Sequence, residues 1–334
     1  MTLPRISVAS LGGTISSTAA DAASGVVPRL DAAQLVASVP GLANVAQIHA
    51  EPLFQLPSAS IGFAECRAAL AWAQAQVDAG AAGVVLTQGT DSIEETAFLL
   101  DLYWQRAQPL VVTGAMRSPQ AAGADGPANL LAAVLAAGEA ASRKRGVLVV
   151  MNDTVHAARW VRKRHTLAVQ AFESPETGPV GAIIEGGVRF LHPAAPRLAP
   201  LPAPVREARV ALLQAGMGDD GTLALLARDA GYDGIVIAGF GSGHVPYAYA
   251  QHIDDIAARI PVVIASRTGA GPTTRATYGY VGSEIDLIHR GAFMAGWLEA
   301  RKARLLLWAL LAGGADKPAI ADALHRYGAA PLPG

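Results

Sequence analysis

Short apolar runs alternate with longer segments of helical periodicity along most of the chain. The apolar runs include RISVAS, AGVVLT, PLVVT and GVLVVM, each short enough for a single buried strand. In the segment between two of them, Ile93, Ala97 and Leu100 fall on one face of a predicted helix. This alternation predicts right-handed βαβ units, and therefore an α/β fold with mainly parallel sheets covered by helices on both faces.

A proline-dense stretch, FLHPAAPRLAPLPAPVREA at 190–208, interrupts the alternation. Neither a helix nor a central strand tolerates proline at that density, so we expect an extended linker. The chain of 334 residues is also long for a single hydrophobic core. We therefore predict a larger N-terminal α/β domain at 1–189 and a smaller C-terminal α/β domain at 209–334.

Composition excludes several classes of protein. The net charge of −1 gives no general attraction to nucleic acid or to an anionic membrane. Mean hydropathy is +0.31, yet no apolar run approaches the ~20 residues of a spanning helix. The single Cys66 excludes an intramolecular disulfide and argues against a thiolate metal site. The first residues lack the pattern of a signal peptide, so we expect a cytoplasmic protein.

Three polar segments directly follow predicted strands: LGGT at 11–14, TQGTD at 87–91 and TGAMR at 113–117. Ligands of open parallel sheets bind beyond the carboxyl ends of the strands, so these segments are expected to converge. Ser92 and Glu95 have the spacing of a capping box, which would place Thr90 and Asp91 just before a helix N-terminus. The alternative is that these polar residues serve only as turn and cap residues.

Lys163 is a second candidate, because the chain contains 22 arginines but only four lysines. It lies between two arginines in VRKRH, where neighbouring cations favour loss of its proton. A neutral lysine could act as a base toward a threonine hydroxyl, which arginine cannot do. The alternative is a solvated basic turn. Other site motifs are weak or absent: GFGSG at 239–243 lacks dinucleotide-binding spacing, and neither a P-loop nor a GxSxG motif occurs.

Four motifs give the chain a resemblance to the bacterial-type L-asparaginase/glutaminase family. They are SLGGTIS (10–16), TQGTDSIEETAFLLDL (87–102), VVTGAMRSPQAAGADGPANLLAAV (111–134) and GVLVVMNDTVHAARWVRK (146–163). The resemblance extends through later segments to nearly the whole chain. It implies two α/β domains, a homotetramer built from intimate dimers with active sites at the dimer interface, and hydrolysis of a small amide without metal or cofactor.

The same resemblance implies the catalytic residues. Thr14, in the GGT motif, matches the threonine nucleophile, which would form an acyl-enzyme and release ammonia. Thr90, Asp91 and Lys163 match a second catalytic set. In it, Lys163 would help to activate Thr90, and Thr90 would position the attacking water or assist the nucleophile.

Substrate-binding positions are only partly matched. The resemblance implies that Ser58 binds the substrate α-carboxylate, that Asp91 binds the α-amine, and that Ala115 makes a backbone contact near the leaving amide. The family's usual asparagine in the glycine-rich loop is Ser242 here. After GPTT, where the family's partner subunit offers a glutamate, the first acid is Glu284, which we expect to lie too far along the chain to substitute.

The family's activating tyrosine is also missing, since residues 15–53 contain no tyrosine. If Thr14 is the nucleophile, Lys163 acting through Thr90 could take its proton. The other possibility is a tyrosine from a neighbouring subunit or from the C-terminal domain, with Tyr247 and Tyr278 as candidates.

These observations predict an amidohydrolase that converts L-asparagine to L-aspartate and ammonia. One alternative keeps the chemistry and changes the substrate to glutamine or to another small amide without a free α-amine. In that case His244, Tyr247 and Arg275 would line a differently shaped pocket. An alternative of another class is a non-catalytic amino-acid sensor that retains the fold.

Overall fold

The structure is a computed structural model, and it describes residues 2–13, 17–18, 27–28, 36 and 39–330. The chain divides into two compact units between Pro200 and Leu201. Both units are α/β with parallel-rich sheets, which confirms the predicted fold class. Residues 191–208, all of them described, contain neither helix nor strand. The predicted domain limits at 189 and 209 stay a prediction.

The first unit is built around a sheet of eight strands. Its strands in chain order, including two short pairs outside the large sheet, are β1 (Arg5–Ser10), β2 (Ser17–Thr18), β3 (Val27–Pro28), β4 (Gln47–Pro52), β5 (Gly83–Thr87), β6 (Leu110–Thr113), β7 (Val147–Met151), β8 (Thr154–Ala157), β9 (Arg162–Lys163), β10 (Phe172–Glu173), β11 (Gly181–Ile184) and β12 (Gly187–Phe190). The order in the large sheet is β12-β11-β8-β7-β6-β5-β1-β4. The pairs β2–β3 and β9–β10 are separate antiparallel ribbons.

Strands β4, β1, β5, β6 and β7 run parallel, as the alternating pattern predicts. Strands β8, β11 and β12 extend the sheet in antiparallel fashion, which the pattern did not predict. One tight turn joins β7 to β8, and another joins β11 to β12. Asn152 and Asp153 have φ values of 49° and 56°, and Glu185 and Gly186 have 50° and 71°. Two consecutive residues of positive φ form the turn type that joins neighbouring antiparallel strands.

Helices cover both faces of the parallel part of this sheet. Leu86 packs in a core with helices Phe63–Asp78 and Ile93–Tyr103, and Val85 packs on the opposite face with helix Gly126–Gly138. Successive side chains of a strand point to opposite faces, so an uninterrupted apolar strand needs cover on both. The shorter helices of this unit are Leu42–Val45 and the 3₁₀ helices Ser58–Ser60, Thr90–Ser92 and Ala140–Ser142.

The second unit has a four-stranded parallel sheet with its own core. Its strands are β13 (Val210–Gln214), β14 (Gly234–Gly239), β15 (Val262–Ser266) and β16 (Phe293–Met294), in that order in the sheet. Its helices are Thr222–Asp229, Tyr247–Ala250, Ile253–Arg259, Glu284–His289, Ala300–Ala312 and Lys317–Tyr327. In the part of the chain that the structure describes, no helix is both long enough and apolar enough to cross a membrane.

Candidate active site

The three polar segments lie side by side, because the strands that precede them are neighbours in the sheet in the order β6-β5-β1. The backbone N–H of Leu11 donates to the carbonyl of Thr87 at 2.8 Å, and that of Gln88 donates to Thr113 at 3.0 Å. The carboxyl edge of the parallel sheet therefore gathers them, as predicted. Thr14 lies outside the described residues, and Gly13 is the last described residue before it.

Glycines allow two of these segments to touch through their backbones. Gly13 has a φ of +88°, and a Cβ on it would lie 1.9 Å from the backbone nitrogen of Gly89. A Cβ on Gly89 would lie 2.7 Å from Ser58 Oγ and 3.1 Å from Gly13 Cα. Because real Cβ atoms do not approach other atoms so closely, only glycine fits either position. This contact places the residue before Thr14 against the residue before Thr90.

We expect Gly89→Ala to separate these segments. The added methyl group must push Ser58 or the Gly13 backbone away, which should cost about 1–3 kcal/mol of stability and disturb the turn that carries Thr90. Thermal unfolding and turnover of the variant measure both effects. Gly216→Ala is the matched control, since a Cβ there meets nothing within 4 Å. Equal stability and activity of the two variants would contradict the contact.

Lys163 joins Thr90 and Asp91 across more than 70 residues of sequence. Its Nζ lies 2.9 Å from Thr90 Oγ1 and 2.9 Å from Asp91 Oδ1. Thr90 is buried in the 3₁₀ turn Thr90–Ser92, whereas the side chain of Asp91 is 68% exposed. One amine therefore bridges a sheltered hydroxyl and an acid that is open to a ligand.

The hydrogen bond from Lys163 lowers the pKa of the Asp91 carboxyl, although partial burial works against it. Asp91 is therefore ionised at neutral pH. Since the pKa is lower in the folded protein, this ion pair stabilises the fold at neutral pH, and its contribution disappears as pH falls through that lowered value. Exposure of Asp91 keeps the contribution small. A lysine ammonium has no acceptor, so Lys163 can accept the Thr90 proton only after giving up one of its own.

The backbone of Lys163 is held by the helix that follows Thr90 and Asp91. Its N–H donates to Glu94 Oε2 at 3.1 Å, and Glu94 is buried in the first turn of that helix. Both ends of Lys163 are therefore bound to residues 90–94. Sequence reasoning missed Glu94, although its position in the TQGTDSIEE motif was a signal.

The predicted capping box is wrong. Ser92 makes no side-chain cap bond with the helix, and its hydroxyl donates instead to the carbonyl oxygen of Ser58 at 2.8 Å. The physical reason is that the 3₁₀ turn Thr90–Ser92 already leads into the helix and directs this side chain toward the Ser58 loop.

Ser58 is buried beneath the Thr90 turn. It begins the 3₁₀ helix Ser58–Ser60, and its Oγ accepts the backbone N–H of Asp91 at 3.2 Å. Together with the bond from Ser92, this contact fixes the Ser58 loop to the Asp91 turn.

The third segment, which contains Ala115, is held from a neighbouring helix. Asp125 accepts the backbone N–H groups of Met116 and Arg117, each at 2.9 Å, and Asn129 donates to the carbonyl of Gly114 at 3.0 Å. Ala115 itself is fully buried. Sequence reasoning did not assign these supporting residues, although the spacing of Asp and Asn by one helical turn in DGPAN was a signal.

A cysteine nucleophile and a metal centre are the two other kinds of site to consider. Cys66 is buried, and burial raises its pKa to about 12, so its thiol is a poor nucleophile. Within the described ranges, no three or more His, Cys, Asp or Glu side chains are grouped so that they could hold a metal ion.

The arrangement is a candidate enzyme site at the carboxyl edge of the parallel sheet of an α/β protein, with a threonine, a lysine and an exposed aspartate. Family models agree with this class: residues 5–196 match "Asparaginase, N-terminal", and residues 209–324 match "Glutaminase/Asparaginase C-terminal domain".

Individual proteins match over nearly the full chain. A probable L-asparaginase of Deinococcus radiodurans is 39% identical over 94% of this chain and 95% of its own. L-asparaginase 2 of Escherichia coli is 34% identical over 98% and 94%. The crystal structure of a probable cytoplasmic L-asparaginase from Campylobacter jejuni matches with a TM-score of 0.85 and 31% identity, over 96% and 99%. The chain therefore belongs to the asparaginase family, and it is an amidohydrolase of the L-asparaginase type.

Proposed function

We propose that the protein hydrolyses L-asparagine to L-aspartate and ammonia, with Thr14 as the nucleophile. The observation that carries the proposal is the bridge from Lys163 to Thr90 and Asp91. Gly89, the residue that precedes the Thr90–Ser92 turn, packs against Gly13. The names of the similar proteins support L-asparagine as the substrate.

In the proposed reaction, the Thr14 hydroxyl oxygen attacks the side-chain amide carbon. The C–N bond then breaks, the nitrogen leaves as ammonia after gaining a proton, and an ester to Thr14 remains. Water attacks the ester, releases aspartate and restores the hydroxyl. Thr90, hydrogen-bonded to Lys163, positions this water or assists Thr14. A neutral Lys163, acting through Thr90, takes the proton of the Thr14 hydroxyl, and the departing nitrogen receives that proton.

The substrate's charged ends have separate partners in this proposal. The exposed carboxylate of Asp91 receives the α-ammonium group, to which an ionised acid is complementary. Ser58 Oγ accepts the Asp91 N–H, and its hydroxyl, which also hydrogen-bonds the Asp91 carboxyl, is the donor proposed for the substrate α-carboxylate. Ala115 contributes a backbone contact near the leaving amide.

Replacing Ser58 by alanine tests the carboxylate contact. We expect KM for L-asparagine to rise about tenfold or more, because a hydrogen bond to a charged group is lost, with a smaller change in kcat. Ser60→Ala is the matched control, since Ser60 belongs to the same 3₁₀ helix but is exposed. A KM unchanged in Ser58→Ala would remove Ser58 from substrate binding.

Substrate choice is tested by ammonia release from L-asparagine, D-asparagine, L-glutamine and N-acetyl-L-asparagine in parallel. The proposal predicts that L-asparagine has the largest kcat/KM. Preference for the acetylated amide would favour a substrate without a free α-amine. Thermal stabilisation by asparagine without any ammonia release would favour the sensor.

We also propose a homotetramer formed from two intimate dimers, and a cytoplasmic location. The family resemblance supports the first, and the name of the similar Campylobacter jejuni protein supports the second. Sedimentation equilibrium of the purified protein measures its assembly. Cell fractionation of the source organism, with antibody detection, measures its location.

A further inference from the structure

Lys163 lies on a two-residue strand that does not belong to the large sheet. Its strand, β9, pairs with β10 as a separate antiparallel ribbon. The N–H of Arg164, one residue further on, donates to the Ala171 carbonyl at 2.6 Å. A bond of this kind holds the two strands of the ribbon together, but it does not define where Lys163 lies relative to Thr90.

The register of the ribbon turns the backbone N–H of Lys163 away from β10. In an antiparallel pair, residues directly opposite each other alternate between hydrogen-bonded and non-hydrogen-bonded pairs. Lys163 stands opposite Phe172, and the neighbouring pair of Arg164 and Ala171 is hydrogen-bonded. Lys163 and Phe172 therefore form a non-hydrogen-bonded pair. The Lys163 N–H faces outward and needs an acceptor from another part of the chain.

Glu94 supplies that acceptor. Its Oε2 accepts the Lys163 N–H at 3.1 Å, and the residue is only 2% exposed in the first turn of helix Ile93–Tyr103. Apolar contacts also hold the ribbon, since Phe172 packs in the same core as Ile93. The hydrophobic effect is non-directional, so the directional bond to Glu94 aligns Lys163 with the helix.

The three acceptors of Lys163 lie on one side of the chain segment 90–94. Glu94 follows Thr90 by four residues and Asp91 by three, the spacings that make side chains neighbours on a helix. Lys163 crosses this side, with its backbone N–H on Glu94 and its Nζ 2.9 Å from Thr90 and from Asp91. Because a lysine side chain is flexible, a fixed backbone limits where its amine can lie.

We propose that Glu94 is a positioning residue for the amidohydrolase reaction: by holding the backbone of Lys163, it places the lysine amine on Thr90. The inference rests on the proposed function and deepens it. Glu94 acts through Lys163 and exchanges no proton, so the feature that matters is its acceptor oxygen. A misplacement of a reacting group by about 1 Å can lower a rate on the order of 10²-fold.

Two substitutions of nearly equal length separate the acceptor from the rest of the side chain. Glu94→Gln keeps a carbonyl oxygen, and Glu94→Met has none. We expect Glu94→Met to lower kcat about 10- to 100-fold with a smaller change in KM, and Glu94→Gln to stay within about threefold. Glu95→Met is the matched control, because it makes the same substitution at the neighbouring acid of the same helical turn. Equal kcat in Glu94→Met and Glu94→Gln, whether normal or impaired, would overturn the proposal.

Labelling with α-¹⁵N-lysine shows the position of Lys163 without any turnover. The chain has four lysines, so the spectrum contains four backbone amide signals, and the Lys163 signal is the one missing from Lys163→Arg. In Glu94→Met this signal should shift and exchange its proton at least about tenfold faster, because the amide loses its acceptor, whereas Glu94→Gln should keep slow exchange. The other three signals show whether each variant is folded. If Glu94→Met does not fold, loss of kcat or of slow exchange in Glu94→Gln still contradicts the proposal.

Together the two measurements distinguish this inference from the proposed function. If the unaltered protein releases no ammonia from L-asparagine, the proposed function fails and the positioning role fails with it, whatever the spectra show. If the protein is active and Glu94→Met displaces the Lys163 signal but keeps normal kcat, the proposed function stands and the positioning role is wrong. A displaced signal together with a lowered kcat in Glu94→Met, both restored in Glu94→Gln, is the result that we expect.

Discussion

Thr14→Ala should abolish ammonia release and leave the fold intact. In the proposed mechanism the Thr14 oxygen forms the covalent bond to the substrate, so the variant lacks the nucleophile. Removal of a nucleophile typically lowers kcat by at least about 10⁴-fold, because the remaining binding groups supply only residual catalysis. Assays of ammonia release and thermal unfolding measure the two parts of the prediction.

Thr18→Ala is the matched control, since it makes the same substitution four residues further along the chain. We expect it to retain nearly full activity. Near-normal turnover in Thr14→Ala would remove Thr14 from the mechanism. Equal inactivity of both variants would indicate that any substitution in this segment disturbs the site, and would leave no special role for the Thr14 hydroxyl.

Lys163→Arg should also be inactive, although it keeps the positive charge. A guanidinium can still pair with Asp91, but it does not lose its proton, so it cannot accept one from Thr90. Loss of a positioned proton acceptor typically costs about 10²–10⁴-fold in rate. Measurements of kcat and KM separate this effect from loss of substrate binding, and we expect the change mainly in kcat.

Arg164→Lys is the control for the neighbouring cation, because it exchanges the same two residue types at an exposed position. It should behave like the unaltered protein. If Lys163→Arg retains substantial kcat, the role of Lys163 is electrostatic: it holds Asp91 and Thr90 in place without exchanging a proton.

The parallel part of the fold could be predicted from the sequence because the alternation of apolar runs and helical segments repeats along the chain. Strand β5 is buried at all five residues, and its apolar run has helical patterns on both sides. The antiparallel strands β8, β11 and β12 have four residues each, too few to show a period. Their turns depend on positive φ at Asn152, Asp153 and Glu185, which sequence permits but does not require.

The candidate site could also be predicted only in part. Neighbouring strand ends followed from the α/β pattern, and the scarcity of lysine drew attention to Lys163. The supporting contacts of Glu94 and Asp125 are tertiary, so the local motifs draw attention to these acids without revealing which backbone N–H groups they accept. In the second unit, His244 Nε2 lies 3.1 Å from Glu284 Oε2, and no spacing rule relates these positions 40 residues apart.

The central claim is covalent catalysis by Thr14, and mass spectrometry of the trypsin-digested enzyme after rapid acid quenching during turnover of L-asparagine tests it most directly. Thr14 and Thr90 fall in different tryptic peptides, residues 6–29 and 68–106. The account predicts a β-aspartyl adduct on the peptide 6–29 that is absent from Thr14→Ala. An adduct on 68–106 would instead make Thr90 the nucleophile and contradict the assignment.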